Sequence, residues 1–128
     1  MHYLFNSRGR YIALWVGNQL YTPSGKHIGH YLRSRAIFVD HSGHYLGEVV
    51  RGNRLMLKRS SPFRGVDFGR QQKLKQIGQQ GQPDHLGYVE VPHIYEDVPE
   101  RNLRRTAPPD ESEGVEAQGE QLTGRSRQ

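Results

Sequence analysis

The sequence predicts an all-β fold, a small quasi-fourfold barrel of antiparallel β-hairpins with a long loop and a disordered C-terminal tail. Three observations support this prediction. A short pattern occurs three times in the first half of the chain, each copy contains a tight turn, and the flanking segments are rich in aromatic and β-branched residues. The copies are 16 and 18 residues apart, read between Gly9, Gly25 and Gly43. This period is too short for a pair of helices and suits a hairpin.

Each copy contains a turn that ends in glycine, at residues 6–9, 22–25 and 40–43. Asparagine and aspartate favour the first position of a type I turn, which Asn6 and Asp40 occupy. A type I turn followed by a left-handed glycine is a common hairpin connection. We therefore predict that Asn6 and Asp40 are structural turn residues and that Gly9, Gly25 and Gly43 have positive φ.

The remaining elements follow in chain order. Repeats are predicted near residues 3–19, 20–36 and 37–54, with strands at 11–16, 28–32 and 45–50 and turn signals at 17–18 and 52–53. A degenerate fourth repeat at 55–98 has no short turn, so residues 64–84 are expected to be a flexible insertion and residues 85–91 the return strand. A ring of hairpins closed in this way leaves no exposed sheet edge. The barrel domain would span residues 1–98.

Composition limits how much of the chain can pack. Only 34% of the 128 residues are hydrophobic, and the mean hydropathy is −0.84. The glutamine- and glycine-rich segment 64–84 and the acidic, polar tail at 99–128 are therefore predicted to be disordered. A folded part this small buries a modest share of its surface, so formation of a homo-oligomer would add stability.

The net charge of +5 is unevenly distributed. Residues 1–63 carry nine basic and two acidic residues, whereas residues 85–128 carry five basic and nine acidic ones. A basic folded surface attracts the phosphate groups of nucleic acids or membranes. The alternative is that the charge only keeps the protein soluble.

Strict alternation assigns the side chains of each second strand to two faces. The face with Ile12, Leu14 and Val16, and its equivalents in the other repeats, is predicted to form the core. His30 and Glu48 fall on that apolar face, where they either pair with each other or lie at a solvated end of the barrel. Small residues recur at Ala13, Gly29 and Gly47, which indicates close approach of neighbouring strands.

A cluster of basic residues is predicted to bind an anionic ligand. We call it the basic rim, and it is assigned to the connections opposite the glycine turns, with two aromatic residues nearby in register. Arginine beside aromatic rings is a recurrent surface for phosphate and stacked bases, although solvated basic rims are also common. The predicted rim residues are Arg33, Arg35, Arg51, Arg54, Lys58, Arg59, Trp15 and Tyr31.

Catalytic and metal-binding chemistry is not predicted. His27-Ile28-Gly29-His30 matches the signature of class I aminoacyl-tRNA synthetases, but it follows a β-turn rather than beginning a helix. His27 and His30 are three residues apart on a strand and are expected on opposite faces, where they cannot share a metal ion. With no cysteine, phosphate loop or nucleophile motif, we expect no enzyme activity, no cofactor and no metal. No signal peptide or long apolar run is recognised, so a cytoplasmic location is expected.

The chain resembles the four-fold β-flower domain family of small bacterial proteins. The match is carried by GHYLGE at 43–48, GNRL at 52–55 and SPF at 61–63, with a closing segment from Tyr88-Val89 to residues 95–98. The resemblance implies a shallow symmetric barrel of hairpin petals and, more distantly, a relation to tubby-like, LURP-one and scramblase barrels. Tubby-like domains bind phosphoinositides through basic residues. The family carries no established activity to transfer.

Three functions follow as hypotheses. The first is a non-enzymatic binding module whose basic rim recognises an anionic partner, such as a membrane surface or a phosphorylated ligand. The second is a nucleic-acid-binding accessory protein, and the third is a protein-interaction scaffold.

Overall fold

The computed structural model describes residues 1–105, which contain eight strands and one short helix. The all-β prediction is confirmed for this part of the chain. The elements, in chain order, are β1 (His2–Phe5), β2 (Tyr11–Val16), β3 (Gln19–Tyr21), β4 (His27–Leu32), β5 (Ile37–Val39), β6 (Tyr45–Val50), β7 (Arg54–Lys58), β8 (Tyr95–Asp97) and α1 (Glu100–Arg105).

Strands β1 to β7 form a closed barrel. Successive strands pair in antiparallel fashion, and β1 returns to β7 through a parallel pairing of Phe5 with Arg54. At the same seam the Phe5 N–H donates a 2.9 Å hydrogen bond to the Asn53 carbonyl. The barrel therefore has seven strands, and β8 is added to it by pairing with β7.

The two ends of the barrel are built from different connections. The turn end carries the three glycine turns, at residues 6–10, 22–26 and 40–44. The connection end carries the turns at 17–18, 33–36 and 51–53 together with residues 1 and 2. Because β7 runs antiparallel to β6, it starts at the connection end with Arg54 and reaches the turn end at Lys58.

The glycine turns have the predicted geometry. Gly9, Gly25 and Gly43 have φ values of 93°, 95° and 86°. The Asn6 side-chain oxygen accepts hydrogen bonds from the backbone N–H groups of residues 8 and 10, at 3.0 and 2.9 Å. The Asp40 carboxylate accepts equivalent bonds from residues 42 and 44, both at 2.9 Å.

A β-bulge in each of the three hairpins overturns the predicted assignment of faces. Leu4 pairs with Ala13 but Phe5 pairs with Tyr11, which leaves Ile12 as the extra residue. The same shift occurs at Ile28 and Leu46. An extra residue reverses the alternation beyond it. The central core consequently draws from both predicted faces, and its buried members are Leu4, Ile12, Ala13, Leu20, Ile28, Phe38, Leu46, Leu55, Leu57, Val98 and Leu103.

The small residues within the strands permit close packing, as predicted. A Cβ added at Gly29 would overlap the Val39 carbonyl oxygen, and one at Gly47 would lie 2.7 Å from the Met56 carbonyl oxygen. Neighbouring strands therefore approach each other at these positions too closely for a larger side chain.

Residues 68–89, here called the strap, cross the three glycine turns in reverse order. The N–H groups of Phe68, Ile77 and Leu86 each donate a 2.9 Å hydrogen bond to the carbonyl of a turn glycine, Gly43, Gly25 and Gly9 respectively. The donors are nine residues apart, and each is followed by a glycine. The composition predicted a flexible insertion at 64–84, but this segment is a hydrogen-bonded component of the fold. Composition gave a wrong prediction here because the strap is bonded to the turns through backbone groups, which residue type does not reveal.

The strap also lies over the outward face of the strands. The Tyr3 hydroxyl donates a 2.7 Å bond to the Gln80 carbonyl, and the His30 ring bonds the Gln72 carbonyl at 2.6 Å. A second layer of buried side chains outside the central core occupies this face, and includes Phe5, Tyr11, Leu14, Tyr21, Ile37, Val39 and Met56.

The return strand and the start of the tail differ from prediction. Residues 85–91 do not form the return strand, because Leu86 and Val89 bond the first turn instead, and β8 takes that place. The disordered tail was predicted from residue 99, but Glu100–Arg105 form α1. Val98 and Leu103 are buried in the central core, which anchors this helix at the turn end. The remainder of the predicted tail, residues 106–128, lies outside the described residues.

Within residues 1–105, no helix is both long enough and apolar enough to cross a membrane.

Substitution of a turn glycine should lower the free energy of unfolding by more than its positive φ alone explains. A Cβ at Gly25 would overlap the Ile77 carbonyl of the strap, whereas one at Gly52, with φ 86°, has no atom within 4 Å. Gly52→Ala is expected to cost about 1–2 kcal/mol of unfolding free energy from backbone strain. Gly25→Ala should cost at least roughly 2 kcal/mol more, because the strap must move away. Urea unfolding of both variants measures the difference, and equal costs would contradict the contact.

Candidate functional site

The structure divides the predicted basic rim between the two ends of the barrel. Arg33, Arg35 and Arg51 are exposed at the connection end, as predicted. Lys58 and Arg59 instead lie at the turn end, where Lys58 pairs with Tyr95. The predicted placement of these two residues at the connection end was wrong because it did not take into account the direction of β7.

Arg54 is a buried structural residue rather than a rim residue. Its side chain is 5% exposed. One terminal guanidinium nitrogen donates to the carbonyls of Asn6, Ser7 and Gly87, at 3.1, 3.3 and 2.9 Å. A buried cation is tolerated only when such acceptors replace water. Arg54 thus joins β7 to the first turn and to the strap, and its charge is not available to a ligand.

The backbone of Lys58 and the side chain of Arg59 also make contacts within the fold. Lys58 is half-buried, and its backbone N–H donates to the Tyr45 hydroxyl at 2.9 Å. The Arg59 side chain is 3.5 Å from the Glu96 carboxylate. Exposed ion pairs of this kind contribute little to stability, but the pair offsets the local positive charge.

Trp15 and Tyr31 close the connection end of the barrel. Their ring centroids are 4.6 Å apart, and both rings pack against the buried Phe38, at 5.2 and 4.9 Å. The Trp15 ring also contacts His2 at 5.1 Å, and its N–H donates to the Gly17 carbonyl at 2.7 Å. The rings contact each other and the core rather than standing free for a ligand.

The connection end is exclusively cationic among its charged side chains. Arg33, Arg35 and Arg51 are exposed on short turns, and no acidic residue occurs in the segments that form this end, 1–2, 17–18, 33–36 and 51–53. The two acidic residues of the first 63 are elsewhere, with Asp40 at the turn end and Glu48 in the middle of β6. Exposed charges act over about a Debye length, so these arginines give the turns of this end a local positive field.

A histidine cluster on the outward face was missed by strict alternation. The bulge at Ile28 places His27 and His30 on the same face, with ring centroids 5.0 Å apart, so the prediction of opposite faces was wrong. Nδ1 of His27 accepts a 3.1 Å bond from the strap N–H of Leu74 and lies 2.9 Å from His41 Nε2. Its Nε2 lies 2.8 Å from the Gln19 side-chain oxygen.

These partners hold His27 in its neutral form. Because an amide oxygen only accepts, Nε2 of His27 carries the proton and Nδ1 is the acceptor. Burial first, and then the positive charges of His41, His30 and Lys73, lower the pKa of His27 to about 3. Both ring nitrogens are engaged by protein groups, so His27 acts as a structural residue beneath the strap.

Glu48 does not pair with His30 and does not mark a solvated end. The Tyr45 hydroxyl donates a 2.8 Å bond to Glu48, while accepting the bond from the backbone N–H of Lys58. Burial raises the pKa of Tyr45 above its ordinary value. The predicted pairing with His30 and the predicted place at a solvated end are therefore both wrong. The bulge at Leu46 instead brings Glu48 next to Tyr45.

Two clefts flank α1 at the turn end. The first, here called the turn-end cleft, has a volume of about 420 Å³ and lies between the first two glycine turns and the helix. Its polar lining includes Arg10, Lys26, Glu100 and Arg104. The second has a volume of about 400 Å³, and Asp40, His44 and Arg64 are among its lining residues. Sequence reasoning placed no cleft here because α1 was expected to be disordered.

Comparison with known proteins leaves the family open: no family model, no curated protein and no solved structure matches the chain. The structure supports a small all-β closed barrel, and the finer β-flower resemblance has no family match behind it.

Removal of the Arg54 guanidinium should destabilise the fold. Arg54→Met leaves the carbonyls of Asn6, Ser7 and Gly87 without their guanidinium donor, and we expect a loss of about 3 kcal/mol in unfolding free energy. Arg51→Met, at the exposed neighbouring turn, is the matched control and should change stability by less than about 0.5 kcal/mol. Urea unfolding measures both, and an Arg54 variant as stable as the control would show that the carbonyls find other partners.

His27 should make the fold sensitive to acid. Unfolded His27 takes up a proton near its ordinary pKa of about 6.5, whereas the folded residue does not until about pH 3. Its contribution is therefore complete above pH 6.5 and is lost as the pH falls, by up to about 1.4 kcal/mol per pH unit. Unfolding free energies measured from pH 7.5 to pH 4.5 should fall less steeply in His27→Gln than in the wild type. The exposed His93→Gln serves as the control, and identical slopes in all three proteins would contradict the assignment.

Proposed function

We propose that this protein is a non-enzymatic binding module that docks the connection end of its barrel on an anionic membrane surface. The observation that carries the proposal is a set of three exposed arginines on short turns that contain no acidic residue, Arg33, Arg35 and Arg51. Each basic residue near an anionic bilayer contributes about 1 kcal/mol. Three of them give a weak, reversible and salt-sensitive interaction, as expected for a peripheral module.

Apolar side chains beside the arginines favour a bilayer over a purely aqueous polyanion. Val16, Leu32 and Val50 are half-buried at the ends of β2, β4 and β6, and Leu32 and Val50 directly precede Arg33 and Arg51. Arginine side chains extend along apolar surface while keeping their charge at the headgroups. Partly exposed aliphatic residues beside arginines suit the boundary between headgroups and acyl chains.

Nucleic acid is the second candidate, and the aromatic residues argue against it. Single-stranded nucleic acid binding relies on aromatic faces on which bases stack. Trp15 and Tyr31 instead pack against each other and against Phe38. The remaining cationic contacts would support only sequence-independent binding to phosphates.

We further propose that the barrel has the quasi-fourfold hairpin arrangement of the β-flower family. The pairs β1–β2, β3–β4, β5–β6 and β7–β8 are consecutive antiparallel neighbours, and the first three share a bulge at the same place. The distant resemblance to tubby-like barrels, which bind phosphoinositides through basic residues, supports the same choice of partner. An anionic cytoplasmic leaflet is the membrane that matches the expected location.

Loss of the connection-end arginines should strongly weaken vesicle binding. In co-sedimentation with vesicles of phosphatidylserine and phosphatidylcholine at low salt, Arg33→Gln/Arg35→Gln/Arg51→Gln should bind roughly 100-fold more weakly than the wild type, since three contributions of about 1 kcal/mol are lost. Arg8→Gln/Arg70→Gln/Lys75→Gln removes the same charge from exposed positions outside this end and should retain most of the binding.

Two results would overturn the membrane proposal. Equal loss of binding in both triple variants would show that net charge, not the connection end, is responsible. Tighter binding to a single-stranded oligonucleotide than to vesicles, with a steep dependence on salt, would favour the nucleic acid candidate. Melting temperatures of the variants, compared with the wild type, establish that each remains folded.

A further inference from the structure

We propose that the turn-end cleft is a second binding site, which takes a small organic phosphate whose ester group is apolar. It lies at the opposite end of the barrel from the surface proposed to meet a membrane, and it does not depend on that proposal. The inference rests on the shape of the cleft, the charges around it and the apolar residues within it.

The cleft has the dimensions of a small-ligand site. Its volume of about 420 Å³ falls within the range of roughly 300–1,000 Å³ that is usual for such sites. The second glycine turn, 22–26, forms one wall, Arg10 of the first turn forms another, and α1 forms the third. The buried Leu103 fixes α1 to the core, so this wall is held in place.

Three cations share one carboxylate around the cleft. Arg10 Nε is 3.0 Å from one oxygen of Glu100, and an Arg104 terminal nitrogen is 3.9 Å from the other. Lys26, on the second turn, adds a third positive charge. The sum of these charges is +2, which complements the charge of about −1.5 to −2 of a phosphate monoester at neutral pH.

Glu100 orients the two arginines without consuming their ability to bind phosphate. Arg10 engages Glu100 through Nε, so the terminal nitrogens of its guanidinium remain for a second acceptor. Guanidinium groups bind phosphate oxygens through two parallel hydrogen bonds. A carboxylate that holds such a group toward a cleft lowers the entropy lost when a ligand binds.

Hydroxyl groups and apolar side chains complete the site. The hydroxyls of Thr22 and Ser24 are 2.9 Å apart on the turn that carries Lys26, and either can act as donor. Ile12 and Leu103 line the cleft and also belong to the central core. The cations thus meet the phosphate at the rim, and the apolar residues accommodate the ester group.

Titration of the full chain with phenyl phosphate and with inorganic phosphate, followed by ¹H–¹⁵N correlation spectra, tests the site. We expect saturable shifts confined to the amides of residues 10–12, 22–26 and 100–104. Phenyl phosphate should bind more tightly than inorganic phosphate, because only the ester gains apolar contact. The absence of saturable binding up to roughly 10 mM would overturn the proposal, as would equal affinity for the two probes.

Variants locate the binding. Arg10→Gln/Lys26→Gln should weaken phenyl phosphate binding at least about tenfold, since two cationic contacts to the phosphate are lost. Lys26→Gln alone leaves the Arg10–Glu100 pair that supports α1, and should still weaken binding measurably. Arg33→Gln/Arg35→Gln, at the connection end, should leave the affinity unchanged. Retained affinity in both cleft variants would overturn the proposal, and so would equal losses in the connection-end control.

Discussion

The Arg54 guanidinium is the contact on which closure of the barrel depends. It connects the start of β7 to the carbonyls of Asn6, Ser7 and Gly87, so three segments far apart in sequence meet at one buried cation. Because an unsatisfied buried charge is costly, these carbonyls cannot move away independently. Asp97 strengthens the same seam by accepting 2.7 Å hydrogen bonds from the backbone N–H and the hydroxyl of Ser7. The seam covers the edge that β1 would otherwise expose.

The strap extends this closure around the barrel. Its nine-residue spacing matches the separation of the glycine turns, so one bonding pattern is used at Gly43, Gly25 and Gly9 in succession. Each turn glycine therefore meets two requirements, a positive φ and an approach by the strap that leaves no space for a side chain. The strap also covers outward-facing side chains such as Tyr3 and His27. A chain with 34% hydrophobic residues can in this way bury both faces of short strands.

Local features of this fold could be predicted from sequence, and long-range ones could not. The turns follow from Asn6, Asp40 and the glycines, whose chemistry acts within a few residues. The faces were wrong because one bulge residue per hairpin reverses the alternation, and Ile12 carries no sign of being that residue. The burial of Arg54 depends on Gly87, which is 33 residues away. One signal was available and missed: Phe68, Ile77 and Leu86 precede glycines at a constant spacing of nine.

The geometry of β4 separates the arginines of one connection from the turn-end cleft. This strand contains six residues, which at about 3.3 Å per residue place Lys26, just before the strand, roughly 20 Å along it from Arg33, just after it. This distance exceeds two Debye lengths at physiological ionic strength, which are about 8 Å each. Arg51 differs, because its turn meets the first glycine turn at the seam, where the Asn53 carbonyl accepts a 2.9 Å bond from the Phe5 N–H. An anion held beside Lys26 would therefore leave the positive field around Arg33 and Arg35 nearly unchanged, so the cleft and this connection can be occupied at the same time.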